Sequence, residues 1–365
     1  MTRHTASTTE STVLHVVLGP DTHGVTRHAH TLLAEPALAR HRRIHLTDPS
    51  GLTCLPTADL THLHLTDHLV ADSAEACADV IQRLAGHRHI SLTLHDLPHP
   101  DDDPARYQRR ARGYARMAAA AETVVVASRH EARLLQNCLP PGERPTPVEV
   151  VPLPIPPPTF PHPTPGRPRR HPHTGNNQDL VVLGFLYPGK GHVDVLETIA
   201  ELPPQIGMIA LGAPSPGHTG LVEQLHRHAS ELGRRLLVTG HVPDRSLLEK
   251  LWTAGIPVAP HRQVSASGTL NTWIAAGRRP LAPASPYVTE LLERNPDSIL
   301  DYGPGTDHTD LHEAATAALA DPWLTWQDPR RPHPGPRAAD CAAVYADVLD
   351  RTVVRLTAGA HHAVT

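Results

Sequence analysis

Proline decides how this chain can be divided. From Leu139 to His173 it reads LPPGERPTPVEVVPLPIPPPTFPHPTPGRPRRHPH, and proline at this density permits neither a helix nor a central strand, apart from a short extended VEVV at 148–151. Each ring fixes φ and removes a backbone donor, so the segment is expected to be an interdomain linker. A chain of 365 residues is also long for one core, and two domains are expected on that ground alone. The boundaries that follow are 1–151 for a first domain, 152–177 for the linker, 178–335 for a second domain, and 336–365 for a C-terminal helix and tail.

On both sides of this seam, short apolar runs alternate with longer helical patterns. TVLHVVL (12–18), RIHLTD (43–48), THLHLTD (61–67), HISLTLHD (89–96), TVVVAS (123–128) and VEVV read as strands before it. GVTRHAHTLLAE, SAEACADVIQRLAG and ARYQRRARGYARMAAAAE between them have helical spacing. The rhythm resumes with the strands DLVVLGFL, IGMIALG, RLLVTG, IPVAP and RPLAPA, separated by GHVDVLETIAEL, LVEQLHRHASELG, RSLLEKLWTAG and SGTLNTWIAAG. Alternation on this scale implies α/β architecture: two doubly wound, Rossmann-like domains, each with a parallel sheet covered on both faces. A ligand is then expected in a central cleft, at the carboxyl ends of the strands.

Composition removes several function classes. A formal net charge of −4 with acids scattered among bases offers no clustered basic field, so nucleic acid is not an expected partner. No window approaches the ~20 apolar residues of a membrane span, and the leader MTRHTASTTESTVLHVVLGP lacks a signal-peptide core, so the chain reads as cytoplasmic. Cys54, Cys77, Cys138 and Cys341 are isolated, without a C-x-x-C pair. The 29 histidines include His62, His64 and His68 in HLHLTDH and His41 and His45 in HRRIH. Neither has a metal-ligand spacing such as H-E-x-x-H, so these are expected to be surface or satisfied histidines, with no metal bound. PDDDP, with Asp101 and Asp103, has the D-x-D form of a cation and diphosphate site, but its place before a helical run makes it a helix N-cap.

The sharpest motif is LGFLYPGKGH (183–192). Its Lys190 is one of only two lysines in a chain with 33 Lys+Arg residues, a bias of high-GC coding that makes the exception informative. A strand, a glycine turn with Lys190 on its exposed tip, and a helix beginning near Gly191 make an anion site: amide groups at the helix start and an ammonium both favour phosphate. APHRQVSASGTLNTWIAAG repeats the arrangement, with the hydroxyls of Ser265, Ser267 and Thr269 and the amides of Gly268 to Leu270 as donors. Together with Gly184, Lys190 and Gly191 they read as a two-sided diphosphate clamp; taken alone, Ser265 or Ser267 reads equally well as a helix cap.

The order GFLYPGKG, VTGHVPDRSLLEKLW, SASGTLNTWIAAGRRPLA resembles the donor domain of the GT-B glycosyltransferases, specifically the retaining enzymes of family four. The resemblance covers most of 180–295. Lys190 and Gly191 match the K-G of the family's G-R-L-x-x-x-K-G segment, with Phe185 where arginine is usual. Gly240, Val242, Leu247 or Leu248, and Trp252 match a second family segment. The family's two glutamates, eight residues apart, fall here on Val264 and Thr272 or on Ser265 and Trp273, so no carboxylate stands in either register.

What the resemblance implies is a glycosyltransferase that uses a nucleotide diphosphate sugar as donor substrate, with retention, without metal or other cofactor. The acceptor would be a small molecule, a lipid-linked group or a glycan. His23, Gly24 and Arg27 in LGPDTHGVTRHAH then sit at the acceptor-side loop, and His95, ending SLTLHD, contacts the donor sugar as a catalytic residue beside Lys190. The amphipathic run 337–359, with Ala342, Tyr345, Val348 and Leu349 on one side, would cross back to the first domain. Two alternatives stay open: a non-catalytic nucleotide-sugar-binding partner of the same fold, and a sugar-nucleotide epimerase.

Overall fold

The computed structural model describes residues 12–140, 146–157, 178–261, 263–328 and 330–362. The N-terminal leader (1–11) and the greater part of the proline-rich linker (141–145 and 158–177) lie outside the described residues. Two compact units account for the chain: Met1–Leu153 with Ala338–Thr365, and Pro154–Arg337.

The first unit is built on β1 (Val13–Leu18), α1 (Gly24–Leu33), β2 (Arg42–Leu46), β3 (Leu60–Leu65), α2 (Ala74–Ala85), β4 (Ile90–Leu94), α3 (Pro104–Ala119), β5 (Thr123–Val126), α4 (Arg129–Cys138) and β6 (Val148–Val150). Its six strands are parallel in the order β2-β1-β3-β4-β5-β6, so the winding reverses between β1 and β3. One face of this sheet is apolar: Leu14, Val16 and Leu18 of β1 pack with Leu63, Leu65, Leu92 and Leu94 against α2 and α3. Polar residues sit in the same strands facing the other way, as the two-residue strand period requires. His15 of β1, His62 and His64 of β3, and Ser91 and Thr93 of β4 are all at most 1 % exposed. Of the surface or satisfied placements expected for these histidines, His68 is exposed beside Asp67, and His64 alone is neither exposed nor hydrogen-bonded. His62 is satisfied, its Nδ1 lying 2.8 Å from the Ser91 hydroxyl and its Nε2 2.8 Å from that of Thr93.

The second unit runs β7 (Leu180–Leu183), α5 (His192–Glu201), β8 (Met208–Leu211), α6 (Gly220–Glu231), β9 (Leu236–Val238), α7 (Asp244–Thr253), β10 (Ile256–Val258), α8 (Gly268–Ala275), β11 (Leu281–Pro283), α9 (Pro286–Arg294), β12 (Leu300–Tyr302) and α10 (Leu311–Ala320). Its strands are again parallel, in the order β12-β11-β10-β7-β8-β9, with the reversal between β7 and β10. The last helix, α11 (Ala338–His362), belongs to the first unit, where Cys341, Ala342, Tyr345 and Val348 pack with Leu32 and Leu38.

Where the elements differ from the sequence reading, local chemistry gives the reason. The run read as strand through Ser128 stops at Val126, because Ser128 caps α4 and its hydroxyl accepts from the Glu131 amide at 2.8 Å. β7 ends at Leu183, three residues early, because Gly184 turns the chain at φ +105°. Asp103 caps α3 as expected, accepting from the Arg106 amide at 2.9 Å.

Candidate functional site

In open parallel sheets, ligands bind outside the carboxyl ends of the strands where the winding reverses. In the second unit those ends are the loops after β7 and β10, and both predicted phosphate motifs occupy them. They converge on Gly184: a Cβ added there would lie 3.2 Å from the Thr269 Oγ1 and 3.8 Å from the Lys190 Nζ. Gly191, the N-cap of α5, has φ +90° and is pressed against Pro260, which a Cβ would meet at 2.8 Å. Positive φ favours glycine at both points, and at Gly191 space requires it as well.

Lys190 is not the exposed turn residue that its place in PGKG suggests. It is only 4 % exposed, with its ammonium 5.9 Å from the Tyr187 ring centroid, and burial pulls its pKa down to about 8. No carboxylate pairs with it among the described residues. A buried ammonium held without a protein counter-ion suits an anionic ligand. Two histidines missed by the sequence reading flank it. His192 opens α5, is 3 % exposed, and has both ring nitrogens without a hydrogen-bond partner. His261 follows β10 and is 6 % exposed, with Nδ1 likewise unpartnered. Burial first, and the Lys190 charge second, push His192 down to about 4 and His261 well below the usual imidazole value. Their adjacency to the GKG and SASG motifs was the available signal, hidden by the abundance of histidine.

The serine loop divides its tasks. Ser267 caps α8: its Oγ accepts from the Leu270 amide at 3.2 Å, and its own amide donates to the Tyr287 hydroxyl at 3.1 Å. The Ser267 and Leu270 amides are thus already engaged in the fold, which removes Leu270 from the expected phosphate donors. Gly268 is exposed with open space where a side chain would be, and Thr269 is half-buried with its hydroxyl toward Gly184. Ser265 is half-buried in the same loop.

The positions where the resembled family has glutamates are filled differently. Val264 and Trp273 are 4 % and 0 % exposed in the core, and the Thr272 hydroxyl donates to the Gly268 carbonyl at 2.7 Å. Glu290 is 3 % exposed and accepts from Arg294 at 2.7 Å.

In the first unit, His23, Gly24 and Arg27 follow β1 and His95 follows β4. His23 caps α1, its Nδ1 accepting from the Val25 amide at 3.2 Å. Gly24 and Arg27 are exposed on the first turns of that helix. His95 is 7 % exposed with Nε2 unpartnered, and burial, then the nearby His23, lowers its pKa to about 4.

Each unit is a parallel six-stranded sheet with alternating helices, and this α/β fold matches that of solved GT-B glycosyltransferases. No protein-family model matches the chain, and no curated protein does. Among solved structures, Anabaena Alr3699/HepE in complex with UDP and glucose is similar at 14 % identity, with a TM-score of 0.65 over 96 % of this chain and all of that one. An alpha-glucosyltransferase in complex with UDP-glucose and DNA containing an abasic site matches at 13 % identity and a TM-score of 0.55, over 92 % of this chain and 94 % of its own. The lipopolysaccharide outer core galactosyltransferase WaaB matches at 11 % identity and the same TM-score, over 94 % of this chain and 95 % of its own. At these identities the likeness is one of fold. Among the described residues no helix is long and apolar enough to cross a membrane.

Proposed function

We propose that this chain is a cytoplasmic glycosyltransferase that takes a sugar from a nucleotide diphosphate donor and passes it, with retention, to a small-molecule, lipid-linked or glycan acceptor. The observation that carries this reading is the convergence of Gly184, Lys190 and Thr269 at the β7–β10 reversal. As the sugar departs, charge grows on the β-phosphate. A buried ammonium, the Thr269 hydroxyl and the start of α5 would stabilise that charge more than they stabilise the ground state, without a metal. Gly184 leaves room for the phosphate to approach the backbone. His95, held neutral by burial, can donate or accept one hydrogen bond to a sugar hydroxyl.

HepE and the alpha-glucosyltransferase are seen with UDP or UDP-glucose, which supports a uridine nucleotide as the first donor to test. A thermal-shift screen of nucleoside diphosphates and their sugars tests the reading, since a ligand well above its Kd raises the melting temperature. The absence of a carboxylate at Val264, Ser265, Thr272 and Trp273 favours one second reading, a partner that binds nucleotide sugar and transfers nothing. Donor binding without hydrolysis or transfer would select it.

A further inference from the structure

We propose that His15, His62 and His64 form a binding site for a divalent transition-metal ion of the zinc class, inside the first unit and separate from the donor loops. One ring nitrogen from each lies within 4.8 Å of the others. A tetrahedral ion with bonds of roughly 2.1 Å holds its ligand atoms about 3.4 Å apart, a contraction that rotation about the soft imidazole torsions supplies.

The hydrogen bonds leave lone pairs for such an ion. Both ring nitrogens of His64 and the Nδ1 of His15 are buried without a partner, a rare condition for interior imidazoles. His15 Nε2 lies 3.0 Å from His41 Nδ1, and His41 Nε2 lies 3.8 Å from the Asp350 carboxylate, which Arg40 also pairs with. With the His41 proton on Nε2 toward Asp350, its Nδ1 accepts from His15 Nε2–H, and His15 Nδ1 presents a lone pair to the cluster. His15 would then donate its other ring N–H to a fixed acceptor, the support that metal-bound histidines commonly have. His62 spends both ring nitrogens on the hydroxyls of Ser91 and Thr93, so it joins the set by exchanging one of them for the ion, the displaced Ser91 Oγ moving to another χ1 rotamer while Thr93 keeps accepting the remaining N–H. The Thr93 hydroxyl has a second partner in Tyr345, 3.1 Å away, whose ring also covers His62 and His64.

No thiolate or carboxylate takes part, and an all-imidazole set suits zinc, cobalt, nickel or copper rather than magnesium or calcium. His15 and His62 are register partners on β1 and β3, so a bound ion would cross-link the strands at the sheet's reversal point. The enclosed position means that the ion is captured as the chain folds. An exposed group, Asp21 with His30 and His45, provides an internal control: His45 is already bound to the Gly19 carbonyl at 2.7 Å, and Asp21 faces solvent.

The test uses the full chain without a polyhistidine tag, refolded in chelator and then in one equivalent of Zn²⁺ or Co²⁺. The proposal expects one equivalent to survive desalting against a weak chelator, with the visible absorption of four-coordinate Co²⁺. His15→Gln with His64→Gln should weaken retention at least a hundredfold, while His30→Gln with His45→Gln leaves it unchanged. No retained ion, retention by the first pair, or loss only in the second pair would overturn the site. Should the first pair fail to fold, X-ray absorption at the zinc edge of the unmutated protein decides. Three imidazole nitrogens support the site, and an oxygen-dominated shell overturns it.

Discussion

Thr269 stands over Gly184: a methyl group placed on the glycine would lie 3.2 Å from the threonine hydroxyl oxygen. The contact joins the loops after β7 and β10. Gly184→Ala should therefore cost twice, once through a side chain at φ +105°, about 1 to 3 kcal/mol of stability, and once by filling the space a phosphate would use. Urea unfolding and nucleotide titration of the same preparation separate the two losses. Equal nucleoside diphosphate affinity in the variant would place the phosphate elsewhere.

Lys190 gives a prediction with a sign. Its pKa falls from 10.5 to about 8 on folding, so the unfolded chain binds more protons between those values, and the residue's contribution to stability becomes less unfavourable as pH rises across that window. Below about pH 8 the full cost of burying the charge is present. Lys190→Met should then stabilise the protein at pH 7 by up to roughly 3 kcal/mol, with the gain vanishing toward pH 10.5, while nucleoside diphosphate binding weakens tenfold or more. Denaturant melts at pH 7 and 10 measure the first effect. A variant that loses stability at pH 7 would show that the ammonium has a structural partner.

Ser267 and Thr269 separate capping from binding. Ser267→Ala removes the acceptor for the Leu270 amide and should cost about 1 kcal/mol of stability, with a small effect on ligand. Thr269→Val keeps the shape, removes a hydroxyl near Gly184, and should weaken diphosphate binding by about 1 to 2 kcal/mol at nearly unchanged stability. The reverse pattern in paired melting and calorimetry would assign phosphate recognition to the cap.

Much of the fold was legible because both domains repeat the same alternation of strand and helix. β12 was not, since Leu300–Tyr302 is a half-buried edge strand with an acid at its centre. The loops after β7 and β10 were legible from Lys190, Gly191 and the Ser/Thr turn. Their chemistry was misread in one respect: a lysine between two glycines looks exposed, yet Pro260, from the loop after β10, closes on Gly191 beside it. The interior placement of His192, His261 and His64 was hidden for the same reason. Their burial is a tertiary fact, and a chain with 29 histidines gives no local sign of which are interior.

The D-x-D reading is tested directly. Asp103→Asn keeps an N-cap on α3 and Asp101→Asn alters an exposed side chain, so the double variant should retain donor binding and turnover, each unchanged by added Mg²⁺ or Mn²⁺. Strict dependence on either cation, abolished in the double variant, would move the diphosphate to the first unit.

Isothermal titration of UDP and GDP, and of uridine and guanosine, into the unmutated protein at pH 7 decides whether the loops after β7 and β10 hold a diphosphate. A diphosphate clamp predicts that at least one nucleoside diphosphate binds tenfold or more tighter than its nucleoside, and that Lys190→Met erases most of that difference. Equal affinity for diphosphate and nucleoside, or a preference that survives Lys190→Met, would contradict the assignment of the Gly184, Lys190 and Thr269 site.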